Sequence, residues 1–336
     1  MGHQLTEALA RSGCPWVNLR VETLRSMALG LVADELSAAG LMVVTPGMEV
    51  SLVERAVEEI RERLGTSTVL FPRDRLLQAG DIASVREAGI KRMEIIPHFP
   101  AMEYSPGHID FDNRAHLSEV VSECEKQGVL FVSMHSPNYL YHSEDEVERK
   151  NAVAEGVRAA KVAADMGAGI MVCHFQIDEA SEKSATEMLD QLEGYSFKLA
   201  IENLDKPVSD YCAFVDRIGS DRLGMVIDIG HTMDDDGVNP FTHMDRARKN
   251  MGQCGKRLIS LHLHEFTYEW ENGDHMSPLT GIIEWGEVFA AFKDIDYQGA
   301  LMFESVFPPG KQELSPDYVL GKIGSFPEEF VDRYVK

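Results

Sequence analysis

The chain has 336 residues, 44% hydrophobic and 26% charged, a balance that excludes disordered, fibrous and coiled-coil classes and fits one large α/β barrel. Asp and Glu number 55 against 32 Lys and Arg, a formal charge of −23 with no basic run, so neither nucleic acid nor an anionic membrane surface is expected as a partner. No segment offers the roughly 18 uncharged apolar residues of a membrane span, and no basic-then-apolar leader precedes the first helix. The nearest approach, Met27 to Val44, is broken by Asp34 and Glu35.

In chain order, Leu24 to Ala39 reads as a helix, and Val53, Ala56, Val57, Ile60 and Leu64 recur on one face of a second. Residues 1–66 are therefore expected to form a helical N-terminal extension, with residues 67–336 as the barrel. From there short apolar runs alternate with helical patterns. Strands are predicted at Thr68–Phe71, Arg92–Ile96, Val129–Met134, Gly169–Cys173, Lys198–Ile201, Gly224–Ile227, Leu258–Leu263 and Ala300–Phe303. Leu117, Val120, Val121 and Cys124 form a helical stripe closed by Gly128. Ser143 and Glu146 have the spacing of a capping box, ahead of Val147, Val153, Val157 and Ala160, and Gly167 ends that helix. Strict alternation, with no G-x-G-x-x-G after the first strand, predicts an α/β fold of the (β/α)8 TIM-barrel type rather than a doubly wound sheet. Cys14, Cys124, Cys173, Cys212 and Cys254 make no C-x-x-C and fit a reducing, cytoplasmic setting.

The chemistry sits at the strand ends. The third strand runs into His135, the fourth into His174, the fifth into Glu202 and the sixth into Asp228 with His231. The seventh carries His262 and His264, and the eighth ends at Glu304. Barrel closure aims all of them at one mouth. Taken singly, Glu202 is as readily a helix cap or a partner of Lys206, Asp228 and His231 a local pair, and Glu304 a buried ion pair. Six successive strands in register favour a shared divalent cation, and mixed His and carboxylate donors suit Mn, Zn or Co better than Ca.

These residues, with Met93-Glu94-Ile95, His135-Ser136-Pro137, Ala200-Ile201-Glu202-Asn203-Leu204, Val226 to His231, Leu261 to Glu265, Asp274-His275 before Gly281 to Trp285, and Gly299 to Glu304, follow one another in a familiar order. Over residues 67–306 the chain resembles the xylose isomerase-like TIM-barrel superfamily, which holds sugar isomerases and epimerases together with the family-2 AP endonucleases, endonuclease IV among them. The resemblance implies one divalent metal (Mn, Co, Zn or Mg) held by Glu202, Asp228, His262 and Glu304, with His264 the competing choice on the seventh strand. It implies Glu202 and Glu304 as the acid/base pair, and His231 on substrate oxygens. His135, His174, His264 and His275 complete the candidate substrate-binding set, and a second metal bridged by His135 and His174 has room there.

The implied reaction is isomerisation or epimerisation of a small sugar or keto-polyol through a metal-stabilised cis-enediolate. Scarce Lys and Arg near the strand ends, Lys206 and Lys311 being the easy candidates, argue for an unphosphorylated substrate. Three rivals stand beside it: an inosose-type dehydratase using the same residues, a multi-zinc phosphodiesterase of the endonuclease IV type, and a barrel that binds metal or sugar without turnover. Against the phosphodiesterase count the charge and an Asp274-His275 pair that lacks the D-x-H spacing. The resemblance also implies a homo-oligomer. Trp270, Trp285 and Phe307 are candidates for the sugar face, though loop packing explains them as well. Asp234-Asp235-Asp236 reads as a solvated loop.

Overall fold

A computed structural model describes residues 46–336 apart from 73, 99–107, 138, 232, 235, 271–272, 310–314 and 335–336. The predicted helix Leu24–Ala39 and Cys14 lie outside the described residues. The chain divides into two compact units, 1–55 and 56–336, and the barrel belongs to the second.

Helix α1 (Pro46–Arg63) carries the expected stripe, with Ile60 buried and Val53, Ala56 and Val57 half-buried. It leads directly into β1 (Leu64–Ser67), followed by α2 (Ala79–Glu87), β2 (Arg92–Ile95) and a two-residue pair, β3 (Pro97–His98) with β4 (Ile109–Asp110). Then come α3 (Arg114–Gln127), β5 (Leu130–His135), α4 (Glu146–Asp165), β6 (Ile170–Cys173), α5 (Glu179–Gln191) and β7 (Lys198–Glu202). The chain finishes with α6 (Val208–Ile218), β8 (Leu223–Asp228), α7 (Met244–Cys254), β9 (Leu258–His262), α8 (Trp285–Asp294), β10 (Leu301–Phe303) and α9 (Pro316–Tyr334).

Eight strands form one parallel sheet in the order β10-β1-β2-β5-β6-β7-β8-β9. Closure is made just past β9, where the Leu263 N–H donates to Met302 O at 2.8 Å and the Glu304 N–H donates to Leu263 O at 2.9 Å. The protein is a TIM barrel, as its alternating pattern predicts. Side chains alternate along each strand, so Ala200 and Val226, packed with Val172 inside the barrel, share a face with Glu202 and Asp228 two residues on. The apolar floor and the polar mouth are thus written into the same strands.

Two local expectations are corrected. The first strand is Leu64–Ser67, inside the span assigned to the extension, while Thr68–Leu70 is a 3-10 turn capped by the Ser67 hydroxyl, which accepts from Val69 N at 3.3 Å. Gly65 weakens the strand signal of that segment, and the flexible tip of Met302 packs over it, with Cε 2.7 Å from where a Cβ would stand. The second correction concerns α4. Its N-cap is Asp145, whose carboxylate accepts from Val147 N and Glu148 N, while Ser143 accepts from Asp145 N one step earlier. Val147 consequently faces solvent, 69% exposed, whereas Val153, Val157 and Ala160 are buried as expected. Gly128 and Gly167 do end their helices, at φ 66° and 100°.

Candidate metal centre

Parallel register sets Asp228 beside His262 and Glu94 beside Ser133. Asn203, the residue after Glu202, ties the neighbouring strand ends together: its amide donates to Asp228 O at 2.9 Å and its carbonyl accepts from Asp228 N at 2.7 Å. The Asp228 carboxylate is fixed in turn by the N–H groups of Gly230 and His231, at 2.7 and 3.0 Å from Oδ1.

The middle of the mouth is occupied by four fully or nearly fully buried residues, Glu202, Asp228, His262 and Glu304, whose ligand atoms all lie within 4.8 Å of one another. Nδ1 of His262 is 2.8 Å from Glu202 Oε1, 2.8 Å from Glu304 Oε2 and 4.0 Å from Asp228 Oδ2. Two further groups flank this one. His135 and His174 reach the other oxygen of Glu202, at 3.6 and 2.7 Å. His231, His264 and His275 gather around Asp228. Asp274 joins that side, facing His231 Nε2 at 3.9 Å and His275 Nδ1 at 3.4 Å. His275 holds φ at 51°, uncommon for a residue with a Cβ. All nine histidines and carboxylates named from the sequence therefore converge.

His264 has one ring nitrogen engaged by a backbone N–H and the other by Asp228. Its Nδ1 accepts the His275 N–H at 2.9 Å, so Nε2 carries the proton and donates to Asp228 at 2.8 and 3.0 Å. Its ring lies against Gly230, where a Cβ would come within 2.0 Å of Cε1. His262 has Nδ1 turned toward the carboxylates Glu202 and Glu304.

Burial disfavours the charged ring of His262, yet Glu304, Glu94 and Glu202 together hold its pKa well above the usual range. His275 is raised likewise, burial being overcome by Asp274 and Glu304, and His135 is raised by Glu202 against its own burial. In His174 burial wins and the pKa falls. Glu202 and Glu304 resist burial and sit well below the carboxylate range, held by His262 with His174 and by His262 with His275 respectively. Asp228 is lowered against burial by His231 and His264.

The donors fit a divalent cation. Three carboxylates crowd a buried space with no Lys or Arg among their ion-pair partners in the described residues. Glu202 Oε2 and His174 Nε2, 2.7 Å apart, both lack a hydrogen bond of acceptable geometry and are left with free ligating capacity.

Two residues around the centre carry more than the sequence reading gave them. Glu94 sits fully buried behind His262, and Asp274 faces His231 and His275. The strand-end pattern signalled Glu94 as well, since it lies one residue before the end of β2. Beside the centre is a cavity of about 500 Å³ lined by Leu204, Asp205, His231, Phe266, Tyr268, Trp270 and Asp274 among others, with no Lys or Arg among the described residues of its walls. Trp285 is instead core, wholly buried, its Nε1 donating to Glu265 at 2.8 Å. Asp234 and Asp236 pair with Arg246 at 3.0 and 2.7 Å. Lys206 pairs with Asp205 and not with Glu202. No helix among the described residues is long and apolar enough to cross a membrane.

The chain is 33% identical over 118 residues to a D-psicose 3-epimerase of Enterocloster bolteae, a match covering 35% of this chain and about a third of that relative's length, 32%. Its fold is shared with the D-allulose 3-epimerase of Methylomonas sp. in complex with D-allulose, at TM-score 0.60 and 18% identity, over 81% of this chain and 97% of that one. A xylose isomerase-like TIM-barrel protein of Mycobacterium smegmatis in complex with magnesium superposes at TM-score 0.56 and 14% identity, over 78% and 97%. With the signature of the xylose isomerase-like TIM barrel matched over residues 82–318, the chain belongs to that family.

Proposed function

We propose that the protein is a divalent-metal-dependent epimerase or isomerase of a small, unphosphorylated sugar or keto-polyol. The observation that carries this reading is the pair Glu202 and Glu304, which approach one ligand position from strands on either side of His262, each 2.8 Å from its Nδ1. A metal binder without turnover has no need of two such carboxylates. The local likeness to a D-psicose 3-epimerase supports the substrate class.

Glu202, Asp228, His262 and Glu304 would hold the ion, which would supply Lewis-acid stabilisation of charge on substrate oxygens. One glutamate takes the proton α to the carbonyl and the other returns a proton to the opposite face or the adjacent carbon. The two glutamates have different neighbours, His174 and His135 for Glu202 and His275 for Glu304. His231, half-buried between the centre and the cavity, would bind substrate hydroxyls, with His135, His174 and His275 beside it in the same role. His264 is assigned to holding Asp228 rather than to touching substrate. The lack of Lys or Arg among the described residues lining the cavity supports a substrate lacking phosphate.

The test is incubation of metal-replete protein with neutral ketohexoses, D-psicose and D-tagatose included, in D2O. Epimerised or isomerised product with deuterium at the carbon beside the carbonyl is expected; a panel returned unchanged and unlabelled would sink the reading. A second reading, a multi-zinc phosphodiesterase, is favoured by one observation: the flanking groups share Glu202 and Asp228 with the central one, giving three adjacent ligand sets. Two to three zinc ions per chain, with cleavage of abasic DNA, would select it. One ion per chain selects the epimerase.

A further inference from the structure

Glu94 has no role in the reaction just described, and its surroundings ask for one. It is completely buried on β2, and among the described residues no Lys or Arg comes within ion-pair distance of it. Its partners are the Ser133 hydroxyl, which donates to Oε2 at 2.7 Å, and Nε2 of His262, 3.1 Å from Oε1 and 3.3 Å from Oε2. The β2–β5 register shifts between Met93 and Glu94, an irregularity of the kind that re-aims a side chain. A carboxylate kept in such a place is costly unless it serves another group.

That group is His262. An imidazole binds a cation through one nitrogen, while the other keeps a proton and needs an acceptor. Here Nδ1 faces Glu202 and Glu304, and Nε2 faces Glu94. Glu94 itself falls outside all three groups of ligand atoms and faces the His262 nitrogen turned away from them. We propose that Glu94 is a positioning residue: it accepts the Nε2 proton of His262 and thereby turns the Nδ1 lone pair toward the ion position between Glu202 and Glu304. Ser133 holds Glu94 from behind. This inference rests on the metal-binding part of the proposed function and is independent of the sugar reaction.

The experiment titrates the metal-stripped full chain with Co²⁺, followed by visible absorption, for wild type, Glu94→Met, Glu94→Gln and Ser133→Ala. Circular dichroism reports the fold of each. Met keeps the volume and removes the acceptor, so Co²⁺ affinity is expected to fall about 10- to 100-fold. Gln keeps an acceptor oxygen, and most of the affinity should return. Loss of Ser133 should cost a few-fold. In Co²⁺-loaded wild type, proton NMR should show a slowly exchanging imidazole N–H that disappears or exchanges faster in Glu94→Met. Affinity within two-fold of wild type in a folded Glu94→Met protein overturns the proposal, as does a Gln variant that loses as much as Met. If Glu94→Met does not fold, the wild-type signal decides, and its absence overturns the proposal. A wild type that takes up no Co²⁺ removes both this inference and the function it rests on. Uptake without sugar turnover removes only the epimerase.

Discussion

Replacing Gly230 by alanine puts a methyl carbon 2.0 Å from Cε1 of His264, and 2.9 and 3.0 Å from its two nitrogens. Ordinary contact begins near 3.4 Å, so the ring must withdraw by about 1.4 Å. It has nowhere easy to go, being fully buried with Nε2 on Asp228 and Nδ1 on the His275 N–H. A shift of that size carries the 2.8 and 2.9 Å bonds past hydrogen-bonding range. Overpacking costs about 1–3 kcal/mol and each buried bond about 1 kcal/mol, giving roughly 3–5 kcal/mol in total. At about 2 °C per kcal/mol for a chain of this size, the melting temperature should drop by roughly 6–10 °C. Asp228 loses its alignment with His262, and metal affinity and turnover should fall by about 100-fold. Scanning calorimetry, a Mn²⁺ titration and a ketohexose assay read the three effects. The double variant with His264→Ala should recover part of the melting temperature, because it empties the space the methyl group needs. A single variant that melts within 2 °C of wild type and binds metal unchanged would refute the claim that Gly230 exists to seat His264.

Glu202→Gln should leave the circular dichroism spectrum intact while lowering turnover by at least about 1000-fold, and full retained activity would remove Glu202 from the acid/base pair. The metal-free protein should show a specific pH dependence. His262 and His275 hold protons more tightly folded than unfolded, so their stabilisation is complete below about pH 6.5 and drains away as pH rises through their raised folded values. Glu202 and Glu304 act in the opposite sense, stabilising above about pH 4.3 and losing that as pH falls through their lowered values. Melting temperature should thus peak near pH 5–6.5 and decline toward pH 9; a flat profile across that range would contradict the cluster. Asp145→Ala should cost about 1 kcal/mol through loss of the α4 cap, and Ser143→Ala clearly less; the reverse order would restore Ser143 as the cap.

The barrel was legible because every strand after the first is a compact β-branched or apolar run bounded by glycine or polar residues, as in Leu199 to Ile201 and Met225 to Ile227. The first strand was not. Gly65 carries no strand propensity, and the Met302 side chain that packs over it comes from 237 residues away in sequence. The β-branched run after it, Thr68-Val69, is spent on a turn whose Thr68 hydroxyl accepts from Ile96 N at 2.9 Å. At the mouth, closure alone brought the strand-end histidines and carboxylates together, so their positions could be read from order. Their partnerships could not. Which nitrogen of His262 faces inward, and that both nitrogens of His264 are taken, depend on Glu94 and on a backbone N–H eleven residues away. Nor does a capping pattern distinguish Ser143 from Asp145, since both offer a side-chain oxygen ahead of the same helix.

The bond that shuts the barrel is also the bond that delivers the last member of the centre. Leu263, directly after His262, receives the N–H of Glu304 across the seam between the final strand and its neighbour. A nascent or truncated polypeptide ending before Phe303 would own Glu202, Asp228 and His262 and still lack the fourth side chain. The pocket is therefore complete only when the last strand is docked, and is not a local construction. Anything that later grips Glu304 and His262 together laces that seam from inside, and resistance to unzipping at β10 becomes a measure of what the mouth holds.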